Sequence, residues 1–276
     1  LAMKTSSIIK IILPITKESI SVKNTKANWC GEGTFEKISP PGHKRREVVS
    51  ECPPGALRVL PGRLNGLKNA LEEAEKKGIK NIYLEKGIHK IEVKTDESGT
   101  KHTSVQVTSS LSIIGASRTE CIVKGSILVS GKKVDHVIIK TMTIREALSA
   151  GVGGDDGASL HLENLFIDQC RIGVLFPNLS DCTMLNCEIT NSKSCGVLLL
   201  SGKLTITGRF NLIRNNCQND SNAFGLRADT GAHIKIQSPT TNILELMCTN
   251  NGGAGNYGGG GKIEQTFCIG KESKTP

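Results

Sequence analysis

The sequence predicts an all-β protein, a right-handed parallel β-helix with an amphipathic helix at its N-terminal end. The first observation is a repeat. Ile144, Ile167 and Ile189 recur at 23 and 22 residues, and Ile213 follows after 24. The second is a companion repeat, Gly151-Val152, Gly173-Val174, Gly196-Val197 and then Gly225-Leu226, at closely similar spacings. Self-similarity at a fixed short period marks a solenoid, whose units cannot bury an apolar face alone and stack to do so. The third is composition. Aromatic residues make up 3% of the chain and Gly stands at 30 residues, which suits thin β-rich coils with no room for a helix in each unit.

In chain order, residues 1–61 form an irregular extension. Ile8 to Leu13 reads as an edge strand. The rest, through Trp29, Pro40-Pro41-Gly42 and Pro53-Pro54-Gly55, is turn-rich and without a period. Trp29, Phe35 and Leu57 give it apolar groups to dock along the solenoid. From 64 to 77 the period changes. Leu64, Leu67, Leu71 and Ala74 recur at three and four residues, with Glu72-Glu73 and Lys76-Lys77 opposite and Gly78 as the stop. A solenoid exposes unpaired backbone at its first coil, and this helix is expected to cover that edge. The β-helix is assigned to residues 62–270 and a frayed tail to 271–276. The glycine-rich run from Asn250 to Ile263 fits neither a phosphate loop, since Lys262 precedes Ile263, nor a dinucleotide fingerprint. It reads as a tight turn into a last strand.

Ile82-Tyr83-Leu84-Glu85-Lys86-Gly87-Ile88 is followed by Leu111-Ser112-Ile113-Ile114-Gly115 and Ile122-Val123-Lys124-Gly125. A helix and then these strands resemble the opening of the pectin-lyase-like superfamily of right-handed parallel β-helices, over roughly residues 62–270. That resemblance implies the fold. It is nearly silent on activity, because the superfamily spans lyases, hydrolases, esterases, epimerases, tailspikes and non-enzymatic domains. Its enzymes act on acidic polysaccharides through carboxylates stacked on neighbouring coils, and its lyases add calcium and an Arg or Lys base.

Aligning the coils tests for such stacking. The residue after the ladder isoleucine, on the opposite face, is Arg145, Asp168, Thr190 and Arg214, so Arg145 and Asp168 read as a surface ion pair across coils. The next position holds Glu146, Gln169, Asn191 and Asn215, the last three read as an amide ladder at a corner. Glu188, between Phe166 and Leu212, reads as an isolated surface acid. Asp155-Asp156 is the best carboxylate pair, but adjacent residues of an extended chain point apart. No catalytic, cofactor or metal site is therefore assigned. Asp155, Asp156, Asp168, Arg145 and Arg214 are the residues to test should the chain be a polysaccharide lyase or epimerase, and calcium enters only under that alternative.

The expected function is a non-catalytic structural or interaction module, a subunit of a larger assembly such as a viral particle, presenting a flat face and the loops 146–157 and 216–241 to protein partners. The net charge of +9 raises nucleic acid as a partner. Apart from Lys44-Arg45-Arg46 the cations are scattered, and few aromatics stand among them to stack bases, so nucleic acid is not expected. The ten cysteines contain no C-x-x-C pair. Cys170, Cys187, Cys195 and Cys217 fall in the coils, which predicts buried, reduced thiols and an intracellular protein. Ile8 to Ile15, interrupted by Lys10, is too short to span a membrane and lacks a following cleavage signal.

Overall fold

The computed structural model describes residues 47–267 except 132, 133, 135, 155, 156, 209 and 239–241, with the backbone of two further strands, Ser7–Ile11 and Lys23–Lys26. The chain winds into a parallel β-solenoid of about 8 turns. Three sheets run along it. The first has eleven strands, two of them the N-terminal pair, and the second and third have seven each. Each complete coil supplies one strand to each sheet, as in Val137–Lys140, Thr143–Arg145 and Ala150–Gly154, and these strands pair in parallel with their counterparts one turn away.

The period seen in the sequence is the register of these pairs. Ile144 lies opposite Ile167, Ile167 opposite Ile189 and Ile189 opposite Ile213. Val152, Val174, Val197 and Leu226 form the matching column of the third sheet. Ile139, Leu162, Met184, Ile206 and Ile236 form that of the first. All these side chains are buried and converge on one core. Burying a side chain of this size contributes roughly 1.5–3 kcal/mol.

The glycine column has a steric cause. A Cβ on Gly151 would stand 2.8 Å from Ile167 Cγ2 and 2.9 Å from the Gly173 carbonyl oxygen. On Gly196 it would stand 2.8 Å from Ile213 Cγ2 and 2.7 Å from the Gly225 oxygen, and Gly173 meets Ile189 and Gly196 more tightly still. Ile167, Ile189 and Ile213 thus each occupy the space that the glycine of the preceding coil leaves open.

The corners depend on left-handed backbone. Thr141, Asn164 and Asn186 turn the chain from the first sheet to the second with φ of 58°, 51° and 52°. Glu146, Gln169, Asn191, Asn215 and Asn250 turn it into the third with φ of 58°, 54°, 54°, 57° and 53°. Asparagine tolerates this conformation better than most residues, which accounts for its recurrence here. The amide ladder expected at Gln169, Asn191 and Asn215 does not form, since Gln169 meets Arg145 and Asn191 meets Asp168; the amide stack lies one residue further along, at Asn216 and Asn251. Asn216 Oδ1 accepts the Ser192 N–H at 2.9 Å, and Asn251 Oδ1 accepts the Asn216 N–H at 3.0 Å. Asn216 Nδ2 donates to the Ile189 oxygen at 3.1 Å and Asn251 Nδ2 to that of Ile213 at 2.9 Å. These bonds satisfy backbone groups that the sheets leave unpaired at the corner.

The helix runs over Gly66–Lys77, with Leu67, Ala70, Leu71 and Ala74 buried. Gly78 ends it in the left-handed conformation (φ 65°), its N–H donating to the carbonyls of Ala74 and Glu75. It packs on the first strands of the solenoid. Leu64, read as part of its apolar stripe, precedes the helix and is 58% exposed. The first sheet begins at Leu57–Val59, which pairs with Asn81–Leu84, ahead of the boundary drawn at residue 62. At the other end Ser7–Ile11 pairs antiparallel with Lys262–Phe267. Among the described residues no helix is long and apolar enough to cross a membrane.

Eight cysteines are described, all unpaired, and seven of them are buried. Burial pushes the thiols of Cys121, Cys170, Cys182 and Cys217 up to about 12 and that of Cys187 to about 11. A thiol of pKa near 12 is about 0.01% thiolate at pH 8 and correspondingly inert. Iodoacetamide at pH 8 is therefore expected to alkylate half-buried Cys52 and to spare these seven until the protein is unfolded, as read by peptide mass spectrometry. Labelling of Cys170 in the native protein as fast as Cys52 would refute the packing. Gly173→Ala is expected to lower stability by about 1–3 kcal/mol or more through overpacking. The urea midpoint should fall, and an unchanged midpoint would show that the isoleucine–glycine contact is not tight.

Candidate functional site

Alternation along the second sheet sends the isoleucine ladder inward and the residues on either side of it outward. Two outward columns result. One runs Lys90, Lys124, Arg145, Asp168, Thr190, Arg214 and Thr249. The other includes Thr143, Phe166, Glu188 and Leu212. Between Arg145 and Arg214 they enclose a shallow trough of about 270 Å³, with Phe166, Asp168, Glu188 and Thr190 along it and Asn191 and Asn215 at its corner side.

At the floor Glu188 is held between two arginines. Arg214 Nη2 lies 2.9 Å from its Oε1 and Arg118 Nη2 3.2 Å from its Oε2. The Glu188 side chain is 5% exposed and that of Arg118 6%. Arg118 comes from the turn ahead of the strand Cys121–Lys124. Its backbone is pinned there by its own N–H donating to the Val48 oxygen at 2.8 Å and by the Thr143 hydroxyl donating to its carbonyl at 2.6 Å. A carboxylate taken out of water is stable only when its charge and lone pairs are answered, and two guanidinia do so here.

Asp168 is buried, and its Oδ1 accepts from Thr190 Oγ1 and from Asn191 Nδ2, both at 2.8 Å. Arg145, a third exposed, stands 2.9 Å from Glu146 Oε1 through Nε, and its Nη2 reaches Gln169 Oε1 only at 3.5 Å. Lys124 also binds Glu146, at 2.8 Å, and these two cations, Lys124 foremost, hold the Glu146 carboxyl below the usual carboxylate range. The Nε of Arg214 is buried without a hydrogen-bond partner.

The structure therefore brings together Asp168, Arg145 and Arg214, three of the five residues singled out from the sequence. Asp155 and Asp156 lie outside the described residues. Two sequence readings are corrected. Arg145 and Asp168 are opposite one another in register but form no ion pair, because Arg145 turns to Glu146 and Gln169 while Asp168 turns to the next coil. Glu188 is not an isolated surface acid but the buried centre of an ionic triad. Arg118 was missed, since it sits in a turn outside the repeat and nothing in its spacing points to a partner 70 residues away. Among the described residues no three His, Cys, Asp or Glu side chains gather in a way that could hold a metal ion. Comparison with protein-family profiles, curated proteins and solved structures returns no match to this chain.

Removing Glu188 leaves two arginines facing one another in a nearly dry site. Glu188→Ala is expected to cost about 3–5 kcal/mol, read from urea unfolding, whereas replacing Arg118 and Glu188 together by Met and Leu should cost far less. Equal losses in the two variants would show that charge pairing is not what holds this site.

Proposed function

We propose that this chain is a non-catalytic β-helix serving as a structural or protein-interaction module, a subunit of a larger assembly, built on the non-enzymatic plan of the pectin-lyase-like superfamily. The observation that carries this reading is that both acids of the trough are already engaged. Glu188 spends both oxygens on arginines, and Asp168 accepts two bonds from its own neighbours. An acid or base at work needs a proton-transfer path to substrate, and groups held this way serve the scaffold instead. Among the described residues eight cysteines are unpaired, seven of them buried, which supports an intracellular setting for the module.

A second reading, a lyase or epimerase acting on acidic glycans, draws support from one feature. Arg145, Asp168 and Arg214 share a single trough on one sheet face. Incubation with a panel of acidic polysaccharides, with and without calcium, separates the two. Reducing ends and the ultraviolet absorbance of unsaturated products are expected to stay at background. Turnover that disappears in Asp168→Asn protein would replace the first reading with the second.

A further inference from the structure

We propose that the trough on the second sheet binds the carboxylates of an acidic polypeptide segment, with Arg145 and Arg214 receiving them at its two ends. This rests on the interaction-module reading and names the chemistry of the partner. The outward column that forms the trough carries Lys90, Lys124, Arg145 and Arg214 against Asp168 as its one acid. With Arg118, Glu146 and Glu188 included, cations still outnumber acids along the face, which favours an anionic partner.

Both end arginines keep donors in reserve. A guanidinium has five N–H donors in a planar fork suited to a carboxylate. Arg214 directs Nη2 to Glu188 and its Nε is buried, so what it offers a partner is the exposed remainder of its guanidinium. Arg145 has one long contact to Gln169 and one ionic contact to Glu146. Each is about a third exposed. Their backbones stand three rungs apart, about 14 Å at about 4.8 Å per rung. Both guanidinia lean inward, Arg145 toward Gln169 on the next coil and Arg214 toward Glu188 on the preceding one. Acidic side chains about four residues apart on an extended chain, at about 3.4 Å per residue, span about 14 Å.

A polypeptide fits better than a glycan. Pyranose rings pack their C–H faces on exposed aromatic rings, and the one ring of the trough, Phe166, is buried. At about 270 Å³ the trough receives the ends of side chains rather than a run of sugar rings.

The test is titration of the full chain with fluorescein-labelled octaglutamate, followed by anisotropy. Saturable binding is expected at about 50 mM salt, weakening steeply toward about 300 mM because the arginines are partly exposed to solvent. Arg145→Gln should weaken it about fivefold or more, while Lys203→Gln on the first sheet should leave it unchanged. Arg145 lies outside the Glu188 clamp, so the variant should keep the wild-type melting curve. No binding, or equal binding by Arg145→Gln, would overturn the proposal. So would Arg145-dependent binding of oligogalacturonate with none of octaglutamate, which would make the partner a glycan. The non-catalytic reading stands or falls separately, on turnover in the polysaccharide assay.

Discussion

The close approach of successive coils governs this molecule. Adjacent strands of a parallel sheet are held about 4.8 Å apart by their hydrogen bonds, and three sheets at that spacing leave little interior. A coil that carries isoleucine in the second sheet can sit on its neighbour only if the neighbour's third-sheet strand gives way at one point. Glycine at 151, 173 and 196 gives way there. The two repeats are one constraint seen from opposite sides, since the isoleucine of one coil fills what the glycine of the coil before it leaves.

That constraint also shapes the corners. A coil of some 22 to 24 residues that supplies three strands must bend sharply, and the left-handed residues at 146, 169, 191 and 215 make one bend in a single residue. The bend strands backbone N–H and C=O groups inside the wall. Asn216 and Asn251 answer them, which is why asparagine recurs at two neighbouring positions for two different reasons: the outer one tolerates the conformation, and the inner one supplies the hydrogen bonds.

With the core fixed by apolar columns, charge is confined to the outward columns, where stacking places side chains from distant parts of the chain within reach of one another. The Arg118–Glu188–Arg214 triad arises in this way, and so does the trough above it. Its acids are spent on neighbours while its end arginines are only partly engaged. This asymmetry, rather than the overall positive charge, is what the proposal of an anionic partner rests on.

The sequence by itself determined the periodic part: the parallel coils, their register, the inward column of isoleucines and the helix that ends at Gly78. It did so because one steric and hydrophobic requirement is repeated every turn, and repetition is visible in a string. It also brought Arg145, Asp168 and Arg214 onto one face, since alternation along a strand is a local rule. Only the tertiary structure decided which way those side chains turn. Register alone makes Arg145 and Asp168 partners, yet each has a better partner on its own or the next coil. Glu188 looked solitary because its second arginine, Arg118, comes from an irregular turn, and aperiodic segments carry no record of what they fold against.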